Sequence, residues 1–202
     1  MYPRASVDID GVLSRFVESF IRKANELRPG IFPPNYVHRV WHFEDSGIPG
    51  VDKKFVNSVW EVIKADPFFW ANEEPYEENV RALRGFIWDE RVEVFYITAR
   101  MATGGVSALE QTIRWLGGQA LMNARTSVIP VSGPEAKKSL MELLQIQDSL
   151  DDYAPTVRGC DTIIGHRAYL LKQPWNQAER ESEALLVVDS VEEYLNKVME
   201  DR

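Results

Sequence analysis

Cysteine is all but missing from this chain: Cys160 is the only one in 202 residues, so no internal disulfide can form. Long apolar runs are missing too. None approaches the roughly 18 consecutive apolar residues of a membrane span, and the opening Met1-Tyr2-Pro3-Arg4 lacks the apolar segment of a secretory signal. Positive charge is in deficit, with 23 Lys and Arg against 31 Asp and Glu and a formal net charge of −8. That balance gives no electrostatic basis for holding a phosphate backbone and argues against duplex nucleic acid as a partner. Internal repeats and low-complexity tracts are lacking as well, while 45% apolar and 27% charged residues make a globular composition. The expected setting is a reducing cytoplasm with no membrane partner; a homodimer stays open.

What is present is an alternation of strand and helix patterns. Val7 and Ile9 alternate with Asp8 and Asp10 before Gly11 breaks the run, which predicts a strand ending near Asp10 with both carboxylates on one side. Leu13, Phe16, Val17, Phe20, Ile21 and Leu27 then recur at helical spacing. Further helices are expected over 51–65, closed by Asp66-Pro67, and over 77–87, 105–116, 134–144 and 191–199. Ser190 and Glu193 form a capping box for the last of these. Residues 29–50 read as loops around one short element at 36–43. Strands are expected at 92–98, 126–131, 149–152, 168–171 and 184–189, the first a nearly continuous apolar run of the kind buried on both faces of a parallel sheet.

The pattern predicts an α/β fold on a mostly parallel sheet, a Rossmann-like three-layer core. From Asp10 to Thr98 lie 98 − 10 = 88 positions, far more than the dozen or so residues a single crossover needs. A helical subdomain at 15–87 is therefore expected between the first two strands, leaving 1–14 and 88–202 as the core. The insertion holds most of the phenylalanines and Trp41, Trp60 and Trp70, with Trp88 at its border.

Open α/β sheets bind ligands beyond the carboxyl ends of their strands. This chain places Asp8 and Asp10 at the first such end, Thr98 and Arg100 at the second, Ser132 with Lys137 after the third, and Asp151 and Asp152 at the fourth. Four carboxylates on one rim repel one another unless a cation sits among them. A hard, oxygen-seeking ion suits such a set, and Mg²⁺ fits a site of few carboxylates plus substrate phosphate.

Asp8-Ile9-Asp10-Gly11-Val12 resembles the Asp-x-Asp-Gly-(Val/Thr) signature of the haloacid dehalogenase superfamily, and Thr98, Lys137 and Asp151-Asp152 follow in that superfamily's order. Within it, Phe68-Phe69-Trp70-Ala71-Asn72-Glu73-Glu74-Pro75 and the stretch from Arg167 to Asn176 are similar to the 5′(3′)-deoxyribonucleotidases. The resemblance implies a Mg²⁺-dependent phosphomonoesterase with a helical cap inserted after the first strand. Asp8 is then the nucleophile that forms an aspartyl-phosphate, and Asp10 the general acid and base. Thr98 and Lys137 bind the phosphoryl group. The metal falls to Asp8, the carbonyl of Asp10 and the Asp151-Asp152 pair, with Asp152 favoured as the direct ligand. Phe16, Trp41 and Phe69 or Trp70 correspond to aromatic residues that sandwich a nucleobase, which implies a nucleoside monophosphate as substrate.

Plainer readings stand beside these. An isolated Asp-Gly is more often a turn, and the aromatic knot at 68–70 serves equally as subdomain core. Arg100 either anchors phosphate or pairs with a rim carboxylate. His38 and His42, four apart, lack a third metal ligand and read as ordinary cap residues, as Cys160 reads as unreactive. Two rival functions remain: a sugar phosphatase on the same core, which does not stack its substrate on the cap aromatics, and a non-catalytic nucleotide-binding module, which does not require Asp10.

Overall fold

The computed structural model describes residues 2–89, 92–182 and 185–200. A six-stranded parallel sheet is ordered β3-β2-β1-β4-β5-β6, with β1 at Arg4–Val7, β2 at Glu93–Thr98, β3 at Thr126–Pro130, β4 at Asp148–Asp151, β5 at Arg167–Leu171 and β6 at Leu186–Val188. Ala184, at the expected start of β6, lies outside the described residues. The apolar run of β2 explains its place inside the sheet. Val94 and Tyr96 point into one core and Phe95 and Ile97 into another, the strict alternation of a strand covered on both faces.

The first of these cores is closed by α3 (Glu77–Trp88), α4 (Ala108–Gly118) and α7 (Val191–Glu200), through Val80, Leu83, Trp115, Leu116 and Leu195 among others. The second is closed by α5 (Pro134–Leu143) and α6 (Ala154–Cys160), through Met141, Val157 and Cys160. This is the three-layer α/β arrangement that the alternating pattern predicts. The seven-residue α6 was not anticipated. Segment 36–43, expected to hold a short element, is irregular up to His42, and a single 3₁₀ turn, Phe43–Asp45, begins at its last residue.

A third cluster gathers Phe20 and Ala24 of α1 (Phe16–Leu27), Val56, Val59 and Ile63 of α2 (Lys53–Ala65), and Phe32, Phe43, Phe69 and Trp70 from the connections. It is tied to the sheet layer at several points. The Trp70 indole N–H donates to the Met101 carbonyl at 2.9 Å, the Trp115 indole N–H to the Glu73 carbonyl at 2.7 Å, and the Gly104 N–H to the Lys64 carbonyl at 2.7 Å. No described helix is long and apolar enough to cross a membrane.

Helix ends follow local chemistry. The Asp52 carboxylate accepts from the Phe55 N–H at 2.8 Å and so starts α2 two residues later than periodicity alone predicts; Ser107 accepts from the Glu110 N–H and starts α4 three residues later. Ser190 accepts from the Glu193 N–H, while the Glu193 carboxylate reaches back to the Asp189 N–H rather than to that of Ser190.

Candidate active site

Strand order reverses between β1 and β4: the chain steps outward from β1 through β2 to β3, then returns to lay β4 on the other side of β1. Val7 is paired with Leu150, so the next residues, Asp8 and Asp151, emerge side by side from the carboxyl ends of the two strands. The Asp8 N–H donates to the Leu150 carbonyl at 3.0 Å. β1 is shorter than expected and ends before both of its carboxylates. Beyond it Leu13 and Ser14 donate their N–H groups to the Ile9 carbonyl at 2.8 Å, a tight turn that delays α1 to Phe16. Gly11 makes this turn with φ +79°, and a Cβ there would overlap the Asp152 carboxyl group.

Oxygen atoms of Asp8, Asp151 and Asp152 lie within 4.8 Å of one another, all three residues being buried. Lys137, 5% exposed on α5, places its ammonium 2.6 Å from Asp8 Oδ2 and 2.7 Å from Asp151 Oδ2. Burial pushes the Asp8 carboxyl up to about 7, against the pull of Lys137 and with the repulsion of Asp151 and Asp10 adding to the rise. Asp152 is raised by burial and by the charges of Asp151 and Asp8, and Lys137 is raised by those same two carboxylates, which outweigh its own burial. The Asp152 Oδ2 accepts from the Trp175 indole N–H at 3.0 Å, and Asp151 Oδ1 accepts from the Tyr153 N–H at 2.9 Å. A buried three-carboxylate set with one ammonium is short of positive charge, and its hard oxygens are the donor chemistry of a divalent cation.

Asp10 stands beside this group and faces Arg100. The guanidinium donates from Nε to Oδ2 at 3.0 Å and from Nη2 to Oδ1 at 2.8 Å, and Ser14 Oγ donates to Oδ1 at 2.9 Å. Arg100 is thus paired with a rim carboxylate, one of the two roles expected of it. Its Nη1 donates to Thr112 Oγ1 at 3.1 Å, and its plane lies over the rings of Trp70 and Trp115, 4.9 and 5.9 Å from their centroids. Thr98 Oγ1 is 3.4 Å from Asp10 Oδ2, so the hydroxyl sits on the rim as its strand position requires.

Above the rim opens a cavity of about 450 Å³ lined by Asp8, Asp10, Lys137, Asp151 and Asp152 below and by rings of the third cluster above. Phe16, Trp41 and Trp70 line it; Phe69 does not, being packed edge-on against Trp70 at 4.8 Å. Trp70 is itself 3% exposed, and Phe16 is stacked against both Trp60 and Trp70. Trp60 of α2 also reaches the cavity wall. Trp41 is 42% exposed and stacks on Tyr153, the residue after Asp152, with centroids 4.0 Å apart. His38 and His42 line the roof. The His38 ring stacks on Phe43, and burial pushes its imidazole down to about 4.

Several contributors carried no signal of their own in the sequence. Ser14, Thr112 and Tyr153 come from turns and a helix interior that the sequence reading did not single out, and Glu73 falls in the 68–75 stretch without having been marked for a role of its own. Trp175 and Gln173, whose side-chain amide donates to the Gly11 carbonyl, fall in the 167–176 stretch already singled out by its resemblance, the one hint that the segment returns to the site.

No family model matches the sequence, and no curated protein matches it. Solved structures do match along essentially the whole chain. The L-2-haloacid dehalogenase from Xanthobacter autotrophicus with chloropropionic acid covalently bound is 10% identical, with all of both chains covered and a TM-score of 0.60. The D,D-heptose 1,7-bisphosphate phosphatase from Burkholderia thailandensis is 11% identical, with 98% of this chain and 99% of that one covered and a TM-score of 0.55. CbbY from Rhodobacter sphaeroides, in complex with phosphate, is 14% identical over 96% of each chain, also with a TM-score of 0.55. The chain thus has the fold of the haloacid dehalogenase-like proteins, as its aspartate motif led us to expect.

Proposed function

We propose that this chain is a divalent-metal-dependent phosphomonoesterase that works through an aspartyl-phosphate on Asp8 and acts on nucleoside monophosphates. The observation that carries this reading is the meeting of Asp8, Asp151, Asp152 and Lys137 on the floor of an aromatic-lined cavity. Asp8, Asp152 and the carbonyl of Asp10 would hold the ion, with Asp151 fixing Lys137; when bound, Mg²⁺ neutralises charge on the phosphoryl oxygens.

Asp8 attacks phosphorus as its carboxylate, forming the acyl phosphate as the bond to the ester oxygen breaks. Asp10 delivers a proton to that leaving oxygen and then takes one from the water that hydrolyses the intermediate, releasing inorganic phosphate and restoring the Asp8 carboxylate. Of the two Asp10 oxygens, Oδ2 has the fewer close donors and is the one assigned that proton. Arg100 orients the carboxyl group, while Thr98 and Lys137 donate to the phosphoryl oxygens. Of the expected cap, residues 15–87, α1, α2 and their connections roof the cavity, where Phe16, Trp41 and Trp70 contact the base with Phe69 backing Trp70, while α3 packs on the sheet as part of the core.

A phosphate-release screen with purified protein tests this reading. Nucleoside monophosphates should be hydrolysed in the presence of Mg²⁺, and Asp8→Asn should lose at least about 10³-fold in turnover while still binding nucleotide. Equal turnover by the two proteins overturns the covalent mechanism. A sugar phosphate preferred by a wide margin overturns the nucleotide assignment. Release of halide from a 2-haloacid, untouched by EDTA, would assign the site to dehalogenation instead.

A further inference from the structure

The charges lining the cavity are distributed unevenly. Among the described lining residues the carboxylates are Asp8, Asp10, Asp151 and Asp152 on the rim and Glu44 in the roof, and Lys137 is the one Lys or Arg. Its ammonium is already bonded to Asp8 and Asp151. Arg100 adds a second positive charge to the rim from behind Asp10, but its side chain is fully shielded and bonded to Asp10 and Thr112. With a divalent ion in place, the rim carries 1 + 1 + 2 positive charges against its four carboxylates. Glu44, on the 3₁₀ turn after His42, is then left with no Lys or Arg among the lining groups to pair with. Burial keeps the neighbouring His38 neutral, so it supplies no positive charge.

We propose that Glu44 is a specificity-determining residue that excludes esters bearing a second anionic group, restricting the site to monophosphates with an uncharged, ring-bearing body. The proposal rests on the phosphomonoesterase reading of the rim. A second phosphoryl group in this cavity meets a carboxylate and stacked rings where it needs a cation, and an anion moved out of water without a partner binds poorly. An uncharged ring loses nothing there: its faces pack on Phe16 and Trp41, and any N–H on its edge has Glu44 as an acceptor. Negative discrimination of this kind narrows a site without tightening its grip on the favoured substrate.

The test compares thymidine 5′-monophosphate with thymidine 3′,5′-bisphosphate, which share base, sugar and scissile group. The assay runs at pH 8, above the ordinary histidine range, with saturating Mg²⁺. Wild-type kcat/KM should be at least about tenfold lower for the bisphosphate, equivalent to ~1.4 kcal/mol. Glu44→Lys should bring the two substrates to within about threefold of each other, and the isosteric Glu44→Gln should narrow the gap partway even if the lysine variant folds poorly. In 1 M NaCl, where the screening length is about 3 Å, the wild-type gap should shrink. A wild-type ratio near one, or a ratio that neither substitution moves, overturns the proposal.

Calorimetric binding of the same two ligands to Asp8→Asn keeps this inference separate from the reading beneath it. Tighter binding of the monophosphate without turnover by the wild type upholds the role of Glu44 and defeats the phosphatase. Binding of neither ligand defeats both.

Discussion

Arg100 shows how one side chain decides what a rim carboxylate can do. Two of its nitrogens bond the two oxygens of Asp10, and it is held in turn by Thr112 and by the faces of Trp70 and Trp115. Lysine keeps the charge but not the fork, so Arg100→Lys should lower kcat by about 10- to 100-fold with little change in the nucleotide KM. A KM effect of that size with kcat unchanged would make Arg100 a substrate anchor instead. Glu73 is the second residue with a separable effect. It is 4% exposed, and neither carboxyl oxygen has a hydrogen-bond partner among the described residues, although Ser14 and Ser19 lie beside it. Burial, helped by the charge of Asp10 and opposed by Arg100, raises it from 4.5 to about 8. The folded state therefore keeps a proton that the unfolded chain releases, and the stability present below pH 4.5 is lost as pH rises to about 8. Glu73→Gln should remove that loss, so the Tm of the variant minus that of the wild type should climb between pH 5 and pH 8. A difference that stays constant with pH would show that Glu73 is ionised in the fold.

Among the elements, the turn after β1 is the most demanding. Gly11 combines φ +79° with the approach of the Asp152 carboxyl group, so Gly11→Ala has both a backbone and a steric cost. Left-handed geometry alone costs roughly 1–2 kcal/mol for alanine, and denaturant unfolding should show at least that loss. An unchanged midpoint would mean the turn tolerates a side chain. This turn was legible in the sequence because Asp8, Asp10 and Gly11 follow a period-two apolar pattern that stops abruptly. The strands at 93–98 and 167–171 were legible for a different reason, since burial on both faces writes a nearly continuous apolar run after the opening Glu93 and Arg167. Helix α6 was not: seven residues, Ala154–Cys160, hold fewer than two turns, too few to display a 3.6-residue period. Segment 36–43 misled in the opposite direction, because its apolar and aromatic residues serve the roof and the Tyr153 stack rather than a regular element.

At the scale of the whole molecule, strand order is what makes a site of scattered residues. Alternating strands and helices announced a parallel sheet, but nothing in that alternation says that β4 pairs with β1. That pairing is a long-range contact that brings Asp8 to Asp151 and Asp152 across more than 140 positions of chain. The rim residues could be named beforehand only because strand ends collect ligands in such sheets; the supporting Trp175 and Ser14 arrive by loop paths that no periodicity encodes.

The central claim is that this topology builds a divalent-cation site, and calorimetric titration of Mg²⁺ into wild-type protein and Asp152→Asn tests it most directly. One site per chain in the wild type, weakened at least about tenfold by the substitution, is the predicted result. No binding by the wild type, or equal binding by both proteins, would contradict it.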